Sequence, residues 1–148
     1  MVSSITLAST VDIECPAIIP SQEETGSEVQ KFYAGRSVLV TGATGYIGKC
    51  LIFKLLNDCP GITRIYLLLR SKGEYSFQSR KDRYLKYDLF SYLRDKTLLD
   101  KLCFVEGSLE QEWLGISPDV RQAILDKVSV VFHSAASVDL SAGYKAVE

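Results

Sequence analysis

The chain has 148 residues, 47% of them hydrophobic and 24% charged, the proportions of one globular domain with a buried core. Its 17 basic and 18 acidic residues leave a formal net charge of −1, which argues against nucleic acid or an anionic membrane surface as a partner. No apolar run reaches the length of a bilayer span, and the first residues lack the basic segment and long apolar stretch of a secretory signal.

Residues 1–30 mix Ser, Thr, Glu and Pro without a sustained period, and Ser21 to Glu28 is polar and acidic, so a disordered tail is expected there, with an ordered domain over 31–148. The first predicted strand spans 37–41. It runs into Thr41-Gly42-Ala43-Thr44-Gly45-Tyr46-Ile47-Gly48, with three glycines at G-x-x-G-x-x-G spacing. A phosphate can touch backbone N–H groups only where no Cβ intervenes, and a helix that follows must aim its N-terminus at the anion. That helix is predicted over 45–58, because Ile47, Leu51, Ile52, Leu55 and Leu56 recur at helical spacing before the stop signals Asn57-Asp58-Cys59-Pro60-Gly61. Strand, glycine turn and helix in this order point to a nucleotide-phosphate cradle.

A second strand is predicted over 64–69. In a parallel sheet of this kind its end lies beside the adenosine ribose, where an acid selects NAD and an arginine accommodates a 2′-phosphate. Here Arg70 follows, with Ser71 and Lys72, and the first acid is Glu74. The expected preference is NADPH, with Arg70 forked onto the phosphate. A charged stretch leads to a helix predicted over about 78–95, then a strand over 102–106, which ends in Glu106-Gly107-Ser108-Leu109. Gly107 would let the backbone pass the adenine, with Ser108 and Leu109 at its edge. Ser117-Pro118 opens a helix to about 126, and a fourth strand over 128–132 leads into His133-Ser134-Ala135-Ala136, whose small residues Ala135 and Ala136 leave room for ribose and nicotinamide. Alternating strands and helices give an α/β fold, a doubly wound parallel sheet.

Cys15, Cys50, Cys59 and Cys103 form no Cys-x-x-Cys pair, and His133 is the one histidine, so no metal site is expected and the thiols read as reduced in a cytosol-facing protein. As a catalytic base His133 would need a partner that the sequence does not identify.

The segment Thr41 to Lys49 resembles the cofactor motif of extended short-chain dehydrogenases. Together with Ile65 to Arg70, Val105-Glu106-Gly107 and Val128 to Ala136, it resembles the fatty acyl-CoA reductases, particularly the insect-type enzymes, over about Val29 to Ser137. The resemblance implies a Rossmann-type domain, here truncated after about four strands in the order 3-2-1-4, with the fourth left as a hydrophobic edge able to associate. It also implies reduction of a long-chain acyl-CoA to a fatty alcohol with NADPH, and a full-length protein associated with peroxisomal or endoplasmic reticulum membranes. The implied cofactor-binding residues are Thr41, Gly42, Thr44, Gly45, Tyr46, Ile47, Gly48, Arg70, Ser108, Leu109, Ala135 and Ala136. No catalytic residue is implied within the chain. The superfamily's proton donor is a tyrosine with a lysine four residues later, whereas Tyr144 is followed at that spacing by Glu148. A non-catalytic module that binds NADPH, or pairs with a full-length relative, is therefore the alternative. Two departures from the family stand out: Ser108 replaces the usual aspartate, and Phe53 replaces a glutamate on a helix surface, where an exposed ring would mark a packing or association site.

Overall fold

The computed structural model describes residues 26–70 and 75–136. Helix α1 spans Glu28–Tyr33 and opens with a reciprocal cap. The Ser27 backbone N–H donates to Gln30 Oε1 at 2.9 Å, and the Gln30 N–H donates to Ser27 Oγ at 3.3 Å. Gln30 Nε2 then donates to the Asp58 carbonyl at 2.8 Å, anchoring α1 to the far end of the next helix. Ser27-x-x-Gln30 is thus a capping box inside a stretch that otherwise reads as polar. The disorder expected over residues 1–25 falls outside the described residues.

Strands β1 (Ser37–Thr41), β2 (Arg64–Leu69), β3 (Leu102–Glu106) and β4 (Val128–His133) form one parallel sheet in the order β3-β2-β1-β4. This is a Rossmann-like α/β sheet in the strand order that the sequence predicts, with the predicted boundaries except that β4 runs one residue further, to His133. β1 and β2 are buried at every position, as their uninterrupted apolar runs require of strands covered on both faces. Helix α2 (Tyr46–Asp58) lays Ile52, Leu55 and Leu56 on one face of the sheet, against Val38, Val40, Ile65, Leu67 and Leu69. Helix α4 (Pro118–Lys127) covers the other face with Ile124, packed near Leu39, Tyr66, Leu68 and Val105. β4 is an outer strand among the described residues, and Val131 on it is 60% exposed.

The segment after β2 departs from expectation. Instead of one helix over 78–95, helix α3 ends early (Phe77–Leu85) and two short 3-10 helices follow, Asp88–Tyr92 and Lys96–Lys101. Tyr84, Phe90 and Leu93 are all buried in the same core. On a continuous helix Phe90 and Leu93 would lie about 240° and about 180° round the axis from Tyr84. The chain breaks after Leu85 so that all three reach the sheet. The Tyr84 and Phe90 rings meet at 5.2 Å, and Tyr84 and Phe104 pack edge to face at 5.7 Å. Burial alone pushes the Tyr84 phenol well above its ordinary pKa.

Of the two roles expected for Phe53, packing or association, the ring takes the first. It is half-buried and packs against the main core, so the ring belongs to the α2 packing face and not to an exposed association site. Cys50, Cys59 and Cys103 are in no disulfide, and among the described residues there is no cluster able to hold a metal ion and no helix long and apolar enough to cross a membrane.

Candidate dinucleotide site

The carboxyl ends of β1, β2, β3 and β4 lie along one edge of the sheet, the edge at which open parallel sheets bind ligands. At its centre β1 delivers Thr41 into the glycine turn. Gly42 has φ +71°, a left-handed conformation that L side chains rarely adopt, and a Cβ there would lie 2.5 Å from the Ala135 nitrogen and 2.6 Å from the Ser134 carbonyl carbon. The end of β4 therefore runs directly against the first glycine. Gly48 closes the turn from the other side: its Cβ would lie 2.2 Å from the Gly42 oxygen and 2.8 Å from the Ala43 Cα. Its bare Cα lets α2 start against the turn.

Gly45 is the N-cap of α2 and makes no side-chain capping bond, so the first-turn amides have no side-chain acceptor at the cap and no acidic residue beside them. That leaves the positive end of the helix open to an anion. Tyr46 and Ile47 beside it are 77% and 65% exposed, and Thr44 is half-buried. The residues present fit a pyrophosphate: backbone donors, a helix N-terminus, and a cradle that side chains on Gly42 or Gly48 would fill.

Thr41 and His133 act on this turn from below. Thr41 is buried, and its hydroxyl shares a 2.7 Å hydrogen bond with His133 Nδ1 across the β1–β4 pair. The Thr41 carbonyl accepts from the Ser134 N–H at 3.2 Å and from Ser134 Oγ at 2.9 Å. These bonds fix the exit of β4 against Gly42 and place Ala135 at the cradle, with Ala136 next in the chain. His133 thus has a partner, but one that ties two strands together; nothing in this pairing makes it a base.

A second cluster forms where β2 and β3 end. Arg70 is half-exposed, and its Nη1 donates to Glu110 Oε1 at 2.7 Å. Arg80, near the start of α3, donates from Nη1 to the Arg70 carbonyl. Burial first, then the charges of Arg70 and Arg83, holds Arg80 below the usual arginine pKa. Cations crowded in this way favour an anion among them. The sequence reading omitted Arg80 and Glu110. Arg80 lies ten positions beyond Arg70 across a turn, with no local signal of contact; Glu110 lies forty positions away on another loop.

The loop after β3 gives Gly107 a packing role. Gly107 is buried, and a Cβ there would lie 2.4 Å from the Leu114 oxygen and 2.7 Å from Leu68 Cδ1. Its bareness serves the packing of this loop. The loop folds back because Trp113, Leu114 and Gly115 all have positive φ, at 53°, 60° and 62°. Leu114 then accepts the Ser108 N–H at 2.8 Å. Arg121 stacks over the Trp113 ring at 4.7 Å and braces this unusual turn. Ser108 Oγ accepts the Glu110 N–H at 3.3 Å, so its oxygen is engaged within the loop, and Leu109 stands 44% exposed beside it. Gly107→Ala is expected to destabilise the fold by about 1–3 kcal/mol through overpacking, read as a lower midpoint in chemical denaturation; an unchanged midpoint would mean the loop yields freely.

Residues 40–148 match a family model of an NAD-binding domain described as male sterility protein. The chain belongs to this family. Among relatives of this male sterility domain, a Drosophila melanogaster protein assigned by name to the fatty acyl-CoA reductases is 45% identical over 116 residues, covering 76% of this chain and 22% of that protein. Fatty acyl-CoA reductase 1 of Homo sapiens is 37% identical over 112 residues, again 74% of this chain and 22% of the relative. The domain thus spans only 22% of the length of the curated relatives it matches. In three dimensions it is similar to the terminal R domain from the myxalamid PKS-NRPS biosynthetic pathway, with a TM-score of 0.62 and 32% identity over 77% of this chain and 28% of that one. A reductase domain of a non-ribosomal peptide synthetase from Mycobacterium tuberculosis superimposes with a TM-score of 0.57 and 26% identity over 70% of this chain and 25% of that one. These neighbours are Rossmann-fold reductase domains, and the male sterility domain described here covers about a quarter of each.

Proposed function

We propose that this male sterility domain binds NADPH and serves as the cofactor-holding part of a reductase acting on long-chain acyl-CoA to form a fatty alcohol. The observation that carries the reading is the turn Gly42–Gly48 beneath the open N-terminus of α2. The kinship with fatty acyl-CoA reductases supports the acyl-CoA substrate class. In this reading the amides around Gly42, Gly45 and Gly48 hold the pyrophosphate, with Thr44, Tyr46 and Ile47 lining the approach. Arg70 meets the 2′-phosphate and Arg80 stands behind it. Ser108 and Leu109 flank the adenine, and Ala135 and Ala136 leave room toward the nicotinamide end. When bound, the cofactor supplies hydride. The chain's own residues bind and orient it, and Thr41, His133 and Ser134 hold the cradle in shape.

Within this chain Tyr144 is followed four positions later by Glu148, so the Tyr-x-x-x-Lys pair that would donate a proton is not formed there. Those two residues lie outside the described ones. The expected result for the 148-residue polypeptide is saturable quenching of its fluorescence by NADPH with no NADPH oxidation on addition of a long-chain acyl-CoA. Turnover by the purified polypeptide would overturn its reading as a cofactor-holding part, and absence of NADPH binding would overturn the cofactor assignment.

A further inference from the structure

Glu110 lies where the 2′-phosphate of the proposed cofactor would have to arrive. Its Oε1 accepts from Arg70 Nη1 at 2.7 Å, and this bond joins the loop after β3 to the end of β2 across the mouth of the site. The contact is held in place locally: the Glu110 N–H donates to Ser108 Oγ at 3.3 Å, and the Ser108 N–H donates to the Leu114 oxygen at 2.8 Å, where the left-handed turn at 113–115 brings the loop back. Arg80 secures the other partner through the Arg70 carbonyl. A carboxylate on a guanidinium is the same recognition chemistry as a phosphate on a guanidinium, with the same planar donor fork and a lower charge.

We propose that Glu110 is a specificity-determining residue, an internal anion that occupies the guanidinium of Arg70 and must be displaced by the 2′-phosphate of NADPH. This inference rests on the assignment of Arg70 to that phosphate. The carboxylate weakens NADPH binding, because each binding event breaks the Arg70–Glu110 pair and brings a second anion close to Glu110. It leaves NADH binding nearly untouched, since NADH presents only a ribose hydroxyl there. The glutamate therefore narrows the gap between the two cofactors, and the gap should respond to ionic strength: salt screens the internal pair as well as the phosphate contact.

The test is a matched titration of NADPH and NADH into the 148-residue chain and its Glu110→Gln, Glu112→Gln and Arg70→Ala/Glu110→Gln variants. Glu110 is 78% exposed on its side chain, so Glu110→Gln is expected to keep the fold, verified by an unchanged unfolding midpoint. NADPH affinity should rise about threefold to fivefold, the scale of an exposed ion pair, with NADH unchanged and with a steeper loss of NADPH affinity on adding salt. Glu112→Gln removes the same charge two positions along and should change little. In the Arg70→Ala background the gain should vanish. An unchanged NADPH affinity in Glu110→Gln, an equal gain from Glu112→Gln, or a gain that persists without Arg70 would each overturn the role of Glu110 while NADPH preference stands. A parent chain that binds NADH as tightly as NADPH would instead overturn the phosphate assignment of Arg70, and the inference with it.

Discussion

Gly48→Ala is expected to cost both stability and cofactor binding, and Gly45→Ala to cost binding alone. The difference lies in what each new methyl meets. At Gly48 it would lie 2.2 Å from the Gly42 oxygen, 2.8 Å from the Ala43 Cα and 2.9 Å from the Gly42 carbonyl carbon, all backbone atoms that cannot rotate away. The first turn of α2 must shift off the end of β1, pulling Ile52, Leu55 and Leu56 from their packing on the sheet. Overpacking of this kind costs about 1–3 kcal/mol, and a displaced helix N-terminus no longer aims at the pyrophosphate. NADPH affinity should fall by at least about tenfold, the equivalent of one well-made charged hydrogen bond. At Gly45 the methyl would meet only the Gly42 oxygen, at 3.3 Å, and would otherwise project from an exposed position into the space that the phosphates would take. That variant should unfold near the parent midpoint yet bind NADPH weakly. Denaturation curves and cofactor titrations on the two variants separate the roles. A Gly45→Ala chain that binds as well as the parent would remove the middle glycine from the site, and a Gly48→Ala chain of parental stability would show that the turn relaxes.

Most of the fold was legible because its signals are local. The apolar runs of β1 and β2, the glycine turn, and Ser117-Pro118 each announce an element within a few residues, and the strand order follows from right-handed crossovers between them. The segment from 78 to 101 was not legible in the same way. Its break after Leu85 is set by the distant core that Tyr84, Phe90 and Leu93 share, and helical propensity carries no information about that core. The same distinction divides the site. Gly42 and Gly48 are where the spacing places them, since a phosphate turn is a contiguous device. The packing role of Gly107 was not legible, because its neighbour Leu114 approaches through a left-handed turn at Trp113 and Leu114, residues that give no sign of positive φ. Arg80 and Glu110 were missed because they meet Arg70 only through the tertiary fold.

Arg70→Ala is expected to remove the discrimination between the two cofactors. A guanidinium that makes charge-assisted bonds to a phosphate contributes about 1.5–3 kcal/mol, so NADPH affinity should fall by about ten- to a hundredfold. NADH affinity should stay within about twofold, because the charge that is lost has no counterpart on that cofactor. Arg70→Lys should fall between, since an ammonium supplies the charge without the planar fork. Arg80→Ala should weaken NADPH in the same direction and by less: its Nη1 holds the Arg70 carbonyl, so its loss loosens the strand end as well as removing a nearby cation. The pattern across the two cofactors decides the matter. If Arg70→Ala weakened NADH as much as NADPH, the residue would be shaping the loop between β2 and α3; if it weakened neither, the 2′-phosphate would be held elsewhere. Selective loss of NADPH alone is the result that follows from a guanidinium standing at the end of β2 where an acidic residue would otherwise have bound the ribose.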